Sequence, residues 1–211
     1  EPAPPAEGHH TGGAETFVSP VVARIAAEHG IDPEHGERQG VPVEVVQVQV
    51  GDVVELIFQE RSIDQWKSTM NSNLDSAFYM ARSVIPGMKA RGFGRLIHIS
   101  GVDGFAGHVA DRVHNIVCKA GVHAMAKALS TEFAPFGITA NTVSPGAIDT
   151  ERDWSQYAPR EQWLAERNKA IPVRHIGRVE DIAEACVYLA ADSGSFITGQ
   201  VLHLNGGQYM Y

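Results

Sequence analysis

The sequence has little of what marks secreted, membrane-spanning or nucleic-acid-binding proteins. Its two cysteines, Cys118 and Cys186, are too few for a disulfide framework and favour a reduced, cytoplasmic setting. Lysine and arginine total 17 against 25 acidic residues, and the net charge of −8 argues against nucleic acid or an anionic membrane surface as a partner. No apolar run approaches the ~20 residues that span a bilayer, and residues 1–13 lack the basic start and apolar stretch of a secretory signal.

The composition excludes disorder over the whole chain. Hydrophobic residues make up 44% and charged residues 20% of the 211, enough for the core of one large domain or two small ones. Ten histidines suggest a metal site at first sight. None of them lies in an H-E-x-x-H or paired C-x-x-C arrangement, so the sequence predicts no metal site.

The N-terminal part of the chain carries weak and irregular signals. Residues 1–16 are rich in proline, alanine, glycine and acidic side chains, which is typical of a flexible tail. Residues 17–61 predict a degenerate segment of one helix and one strand. Ser19 and Pro20 fit the first positions of the helix, and alternating valines from Val43 onward fit the strand. After Gly51 the pattern fits either a second strand or the first turn of a helix.

From Ser62 onward, helical and strand patterns alternate. Ser62 and Gln65 form an S-x-x-Q capping box, which predicts the start of a long helix with a kink at Pro86 and an end at residues 92–94. Further helices are predicted from residue 113 to Gly137, over 154–170 around a central Pro159 and over 180–192, and strands over 95–100, 138–144 and 199–207. This order predicts parallel strands joined by crossover helices.

Three features lie where such a sheet binds its ligands, beyond the carboxyl ends of the strands. Ser100 ends one predicted strand, Pro145 and Gly146 end the next, and Lys119 lies near the start of the intervening helix. A lysine beside a serine hydroxyl predicts an acid/base or hydroxyl-binding site. The alternative is that Ser100 only caps a loop and that Lys119 is solvated.

Five segments resemble the short-chain dehydrogenase/reductase family in the order in which they occur: residues 73–82, 94–104, 119–150, 177–192 and 196–207. The resemblance covers residues 62–211 and implies an α/β fold, a three-layer Rossmann-like parallel sheet. Its N-terminal part is expected to be truncated or degenerate, because the family's T-G-x-x-x-G-x-G motif is absent. The resemblance also implies an NAD(P)-dependent oxidoreductase that acts on a small alcohol or carbonyl substrate and forms a homodimer or homotetramer.

The resemblance assigns roles to several residues. It implies that Asn73 helps to hold a proton-relay water, and that Lys119 binds the nicotinamide ribose and lowers the pKa of the family's catalytic tyrosine. The family's P-G-x-x-x-T turn lies against the nicotinamide and the phosphates of NAD or NADP. Its matching residues in this sequence are Pro145, Gly146, Ile148 and Thr150.

Two positions depart from the family pattern and indicate a divergent subgroup. Gly101 stands where the family has its serine, and Ser100 can replace that serine only if the loop shifts. Asn115 stands where the family has its tyrosine, four residues before Lys119, and His114 precedes it. Residues four apart share a helix face, whereas His114 lies ~100° away from Asn115 around the helix.

His114 is nevertheless the candidate for the missing acid, because an asparagine amide does not ionise and a histidine exchanges protons near neutral pH. We predict that His114 is the general acid/base and that the Lys119 ammonium lowers its pKa. The alternative is that His114 only caps the helix.

These departures leave three hypotheses about function. The first is an oxidoreductase with altered acid/base chemistry, and the second is a catalytically silent relative that serves as a binding or oligomerisation scaffold. The third rests on residues 1–36, whose proline- and alanine-rich start and following helix resemble the peripheral subunit-binding domain of dihydrolipoamide acyltransferases. The sequence leaves the substrate and the choice between NAD and NADP open.

Overall fold

The computed structural model describes residues 37–38, 41–42, 58–105, 112–151, 154 and 159–210. The predicted tail at 1–16 and the predicted helix after Ser19 lie outside these residues. The strand predicted from Val43 also lies outside the described residues. Just before it, two short antiparallel strands pair, β1 (Glu37–Arg38) with β2 (Val41–Pro42).

The long helix predicted from Ser62 consists of two helices and an irregular turn between them. In α1 (Ile63–Met70), the predicted capping box is confirmed, because Ser62 Oγ accepts from the Gln65 N–H and Gln65 Oε1 accepts from the Ser62 N–H. A π-helical turn follows at Asn71–Asp75, and α2 (Ser76–Arg91) then runs through Pro86 to its cap at Gly92. The irregularity therefore precedes Pro86. The helix accommodates the proline because Pro86 and Arg82, whose carbonyl loses its helical partner, both lie on the exposed side.

The rest of the chain alternates strands and helices. In order it forms β3 (Gly94–Ile99), α3 (Val113–Phe133), β4 (Ile138–Pro145), β5 (Ile148–Asp149), α4 (Arg160–Ala170), β6 (Gly177–Arg178), α5 (Val179–Ala190) and β7 (Val201–Leu204). These elements confirm the helices and strands predicted after Ser62. One prediction is wrong in detail, because Pro159 precedes α4 instead of lying in its middle.

Three parallel strands form the main sheet among the described residues, in the order β3, β4, β7. The two-residue strands β5 and β6 pair separately. At the carboxyl edge of the main sheet, the Ser100 N–H donates to the Val143 carbonyl, and the Gly146 N–H donates to the Leu204 carbonyl, each at 2.9 Å. The predicted ligand-binding ends of β3 and β4 are therefore neighbours.

Helices cover both faces of this sheet, which confirms the predicted three-layer α/β arrangement. Neighbouring residues of a strand point to opposite faces, and Leu96 packs with α2 and α3 while Ile97 packs with α5. Met88 is the largest fully buried side chain of the first cluster, and Ile97 and Leu189 are the largest of the second. Within the described ranges, no helix is both long enough and apolar enough to cross a bilayer.

Candidate active site

The loop that leaves β3 packs across one polar face of α3. Asn115, Lys119 and His123 recur at every fourth residue of this helix, and all three are buried. Gly104 makes the close contact possible, because a Cβ at this position would lie 2.6 Å from His123 Cε1 and 3.0 Å from Lys119 Cβ. The polar face of α3 is thus turned toward the carboxyl end of the sheet and away from water.

Ser100 and His123 form the shortest contact of this site. Ser100 Oγ lies 2.5 Å from His123 Nε2, and both side chains are more than nine-tenths buried. Phe105 stacks on the imidazole with ring centroids 4.3 Å apart. Burial, with added repulsion from His203, Lys127 and Lys119, lowers the pKa of His123 to about 4. The imidazole is therefore neutral at neutral pH.

His123 was not among the residues predicted from the sequence. Its signal is the four-residue spacing from Lys119, the same spacing that places Asn115 on the face of that lysine.

Lys119 is buried, so the alternative of a solvated lysine is wrong. Only 4% of the residue is exposed, and burial lowers the pKa of its ammonium while the Cys118 thiol and the Asp103 carboxylate raise it. Asp103 also accepts from Asn115 Nδ2 at 2.9 Å and pairs with Arg112 at 3.5 Å. The loop carboxylate thus balances positive charge on the same side of α3 as the lysine.

His114 lies elsewhere on α3, within its first turn, and is fully buried. Neither imidazole nitrogen has a hydrogen-bond partner among the described residues, so the structure shows no capping bond from this side chain. Burial first, and then the charges of Arg61 and Arg112, lower the pKa of His114. The predicted cause was wrong: the displacement around the helix directs His114 toward these arginines instead of Lys119.

Asn73 lies in the π-helical turn and is 1% exposed. Its Nδ2 donates to the Thr69 carbonyl at 3.2 Å and to Ser72 Oγ at 3.0 Å, while its Oδ1 has no partner among the described residues. This turn packs against α3, where Leu74 lies close to Gly121, and just before the turn the Thr69 carbonyl of α1 accepts from the Cys118 thiol at 3.6 Å. A buried acceptor without a partner is suited to a water molecule or a ligand hydroxyl.

The turn after β4 borders a cavity of about 330 Å³. Ala147 and Ile148 line it from the turn, and His203 and Asn205 line it from the end of β7. Pro145, Gly146 and Ile148 are half-buried, whereas Thr150 is exposed. A Cβ on Gly146 would lie 2.7 Å from Asn205 Cα, so only glycine allows this backbone approach. The predicted turn residues therefore share an edge of the sheet with Ser100.

The family model described as enoyl-(acyl carrier protein) reductase matches residues 46–208. The acetoacetyl-CoA reductase of Rhizobium meliloti is 35% identical over 189 residues, which are 89% of this chain and 72% of that protein. The 3-oxoacyl-(acyl-carrier-protein) reductase of Buchnera aphidicola is 38% identical over 146 residues, 69% of this chain and 58% of that protein. A gluconate 5-dehydrogenase from Burkholderia cenocepacia, solved with NADP and tartrate, is 26% identical with a TM-score of 0.72, covering 89% of this chain and 70% of that one.

Proposed function

We propose that this chain, which belongs to the short-chain dehydrogenase/reductase family, reduces a 3-oxoacyl thioester such as acetoacetyl-CoA with a nicotinamide cofactor as hydride donor. The family match covers most of the chain, and its relatives are oxidoreductases of this family. The chain is accordingly an NAD(P)-dependent oxidoreductase with a Rossmann-like fold. The names of two relatives support the substrate class.

One observation of this chain carries the proposal. A serine hydroxyl contacts a neutral imidazole at the carboxyl end of a parallel sheet, where α/β proteins bind nucleotides, and a buried lysine lies one helical turn from that imidazole on the same face of α3. Lys119 supplies positive charge, and Ser100 supplies a hydroxyl that can bond to a carbonyl oxygen. This combination suits polarisation of a carbonyl group and transfer of a proton to its oxygen.

The residues present fit the nicotinamide half of NAD or NADP. Lys119 can donate to ribose hydroxyls, and Asn73 Oδ1 is a buried acceptor without a partner among the described residues. The turn at residues 145–150 lies at the carboxyl edge of the same sheet, where its backbone can contact the ring and the phosphates. When bound, the cofactor supplies the hydride. A similar structure holds NADP, which supports this cofactor without deciding against NAD.

The residue at the tyrosine position supports the assignment to a subgroup of the family that lacks this tyrosine. Asn115 is held by Asp103, and its amide has no proton to give at neutral pH. Another group must therefore exchange the proton. His114 stays the prediction made from the sequence for this role, although neither of its ring nitrogens has a hydrogen-bond partner among the described residues.

The experiment for this function combines cofactor binding with turnover. We expect purified chain to quench or enhance the fluorescence of NADPH or NADH in titration, and to oxidise the bound cofactor when acetoacetyl-CoA is added. A panel of simple ketones serves as the control for the thioester. Binding without turnover of any carbonyl would favour the hypothesis of a scaffold, and absence of binding for both cofactors would contradict the oxidoreductase altogether.

Exposed aromatic side chains on α2 support a homodimer or homotetramer. Phe78 and Tyr79 are adjacent and about half exposed, and their rings are in edge-to-face contact at 5.7 Å. Apolar surface of this kind is commonly covered by a partner. We expect sedimentation to give the mass of two or four chains and the Phe78→Lys variant to shift it toward one chain. A monomeric wild-type chain at micromolar concentration would contradict the proposed assembly.

A further inference from the structure

We propose that Ser100 and His123 act as one proton-transfer pair, in which Ser100 exchanges a proton with the substrate oxygen and His123 exchanges one with Ser100. This inference rests on the proposed oxidoreductase function and deepens it, because it assigns the part left vacant at the tyrosine position. Its basis is the 2.5 Å contact between Ser100 Oγ and His123 Nε2 at the carboxyl end of β3.

The imidazole of His123 is held in place from several sides. Phe105 stacks on the ring, Gly104 passes against Cε1, and Nε2 faces Ser100. Only 4% of the residue is exposed. A ring confined in this way keeps Nε2 directed at the hydroxyl, which is the condition for proton transfer along one hydrogen bond.

The neighbouring candidates lack this connection. The amide of Asn115 donates to Asp103 and does not titrate, and His114 forms no hydrogen bond to a described residue. Ser100 is thus the hydroxyl of the site that is coupled to a titratable group. We assign His123 as the positioning residue of the pair, because it acts on the substrate through Ser100.

The proton balance is simplest in the direction of alcohol oxidation. The alcohol O–H bond breaks as its proton joins Ser100 Oγ. At the same time the original Ser100 O–H bond breaks, and the proton that Ser100 carried passes to His123 Nε2. The electron pair of the alcohol C–H bond leaves with its hydrogen to the oxidised cofactor that the proposed function supplies. His123 ends as imidazolium and returns its proton to water. Carbonyl reduction follows the same path backwards and starts from the minor fraction of His123 that carries a second proton, so its rate is expected to rise as the pH falls toward about 4.

The surroundings keep His123 in the neutral form that oxidation of the alcohol needs. Lys119 and Lys127 on α3 and His203 on β7 all disfavour a second proton on the imidazole, while Asp103 lies nearer to Lys119. With its pKa lowered to about 4, the imidazole is neutral and can accept a proton over the whole neutral range. Oxidation of the alcohol is therefore expected to be independent of His123 titration until strongly acidic pH.

The first test compares two replacements of His123 that both lack a titratable group. Glutamine can still form hydrogen bonds, whereas alanine cannot. We expect His123→Ala and His123→Gln each to lower kcat for oxidation of 3-hydroxybutyryl-CoA by roughly 100-fold or more, with KM changed by less than about threefold. Imidazole added to His123→Ala should restore part of the rate. Ser130→Ala is the control, because it removes a buried hydroxyl that lies on the same helix but away from the site. The kcat of this variant should stay within about twofold of wild type.

The Gln variant also separates positioning from structure. NADPH affinity within about threefold of wild type in His123→Gln would show an intact fold and cofactor site, so that a lost kcat reports on the pair. A His123→Gln enzyme with wild-type kcat would overturn the inference, because a group that cannot titrate would then suffice. If His123→Ala does not fold, the Gln variant alone decides.

A second readout does not depend on turnover. Long-range proton–nitrogen NMR spectra of the chain without cofactor should show His123 neutral at pH values where exposed histidines are protonated, and the Nε2 resonance should move in Ser100→Ala. An unchanged resonance would overturn the pair. A wild-type chain that reduces no carbonyl would instead contradict the proposed function, while these spectra would still report on the hydrogen bond.

Discussion

Replacing Lys119 with methionine is expected to lower kcat/KM for reduction of acetoacetyl-CoA by about 10³-fold, because it removes a buried positive charge from the site. Methionine keeps nearly the length of the lysine stem and so preserves packing beneath the loop at Gly104. The loss therefore reports on charge and hydrogen bonding. Cofactor fluorescence should show weaker binding in the same variant.

The same substitution should not destabilise the fold. A lysine that is 4% exposed carries the desolvation cost of its charge, and an apolar replacement removes that cost. We expect the urea midpoint of Lys119→Met to equal or exceed that of wild type. Lys67→Met, on the exposed side of α1, is the matched control and should change neither quantity. A Lys119→Met enzyme within about tenfold of wild type would contradict the role of this residue.

Acid is expected to destabilise the chain already between about pH 7 and about pH 5. Burial lowers the pKa of His98 and of His123 to about 4 each, against 6.5 in the unfolded chain. Between these values the unfolded state binds more protons than the folded one, so stability is lost as pH falls through this window. From about pH 7 to about pH 5 the two residues remove about 4 kcal/mol of the free energy of unfolding.

His98→Leu tests this account separately from catalysis. His98 lies in β3, is fully buried, and neither of its ring nitrogens has a partner among the described residues, so an apolar side chain leaves no group unpaired there. We expect its loss of stability between about pH 7 and about pH 5 to be about 2 kcal/mol smaller than that of wild type. Urea unfolding at both pH values measures it. Equal losses in the two proteins would contradict a neutral, buried His98.

The sequence predicts the helices and strands that carry the site, because the residue patterns that indicate them are local. The capping box at Ser62 and the alternation after it rest on spacings of three or four residues and on strand patterns, and the structure follows them. The positions of Lys119 and Asn115 follow from the helix repeat in the same way. That rule also applies to His123, which lies four residues after Lys119.

Other features depend on contacts that no local pattern encodes. No spacing of residues in the sequence indicates the π-helical turn around Asn73. Pro86 predicts a kink, although it lies in the regular part of the helix. Burial lowers the pKa of His114 most, and Arg61, which is distant in sequence, and Arg112 lower it further. Such electrostatic neighbours become visible only when the elements pack together.

The transfer of hydrogen from cofactor to substrate tests the central claim most directly. Incubation of the chain with acetoacetyl-CoA and NADPH carrying deuterium at the transferable position, and in parallel with labelled NADH, should yield 3-hydroxybutyryl-CoA that mass spectrometry finds heavier by one deuterium with at least one of them. Lys119→Met should yield little of this product in the same time. Acetoacetyl-CoA recovered without label from both incubations of the wild-type chain would contradict a 3-oxoacyl thioester reductase built on this site.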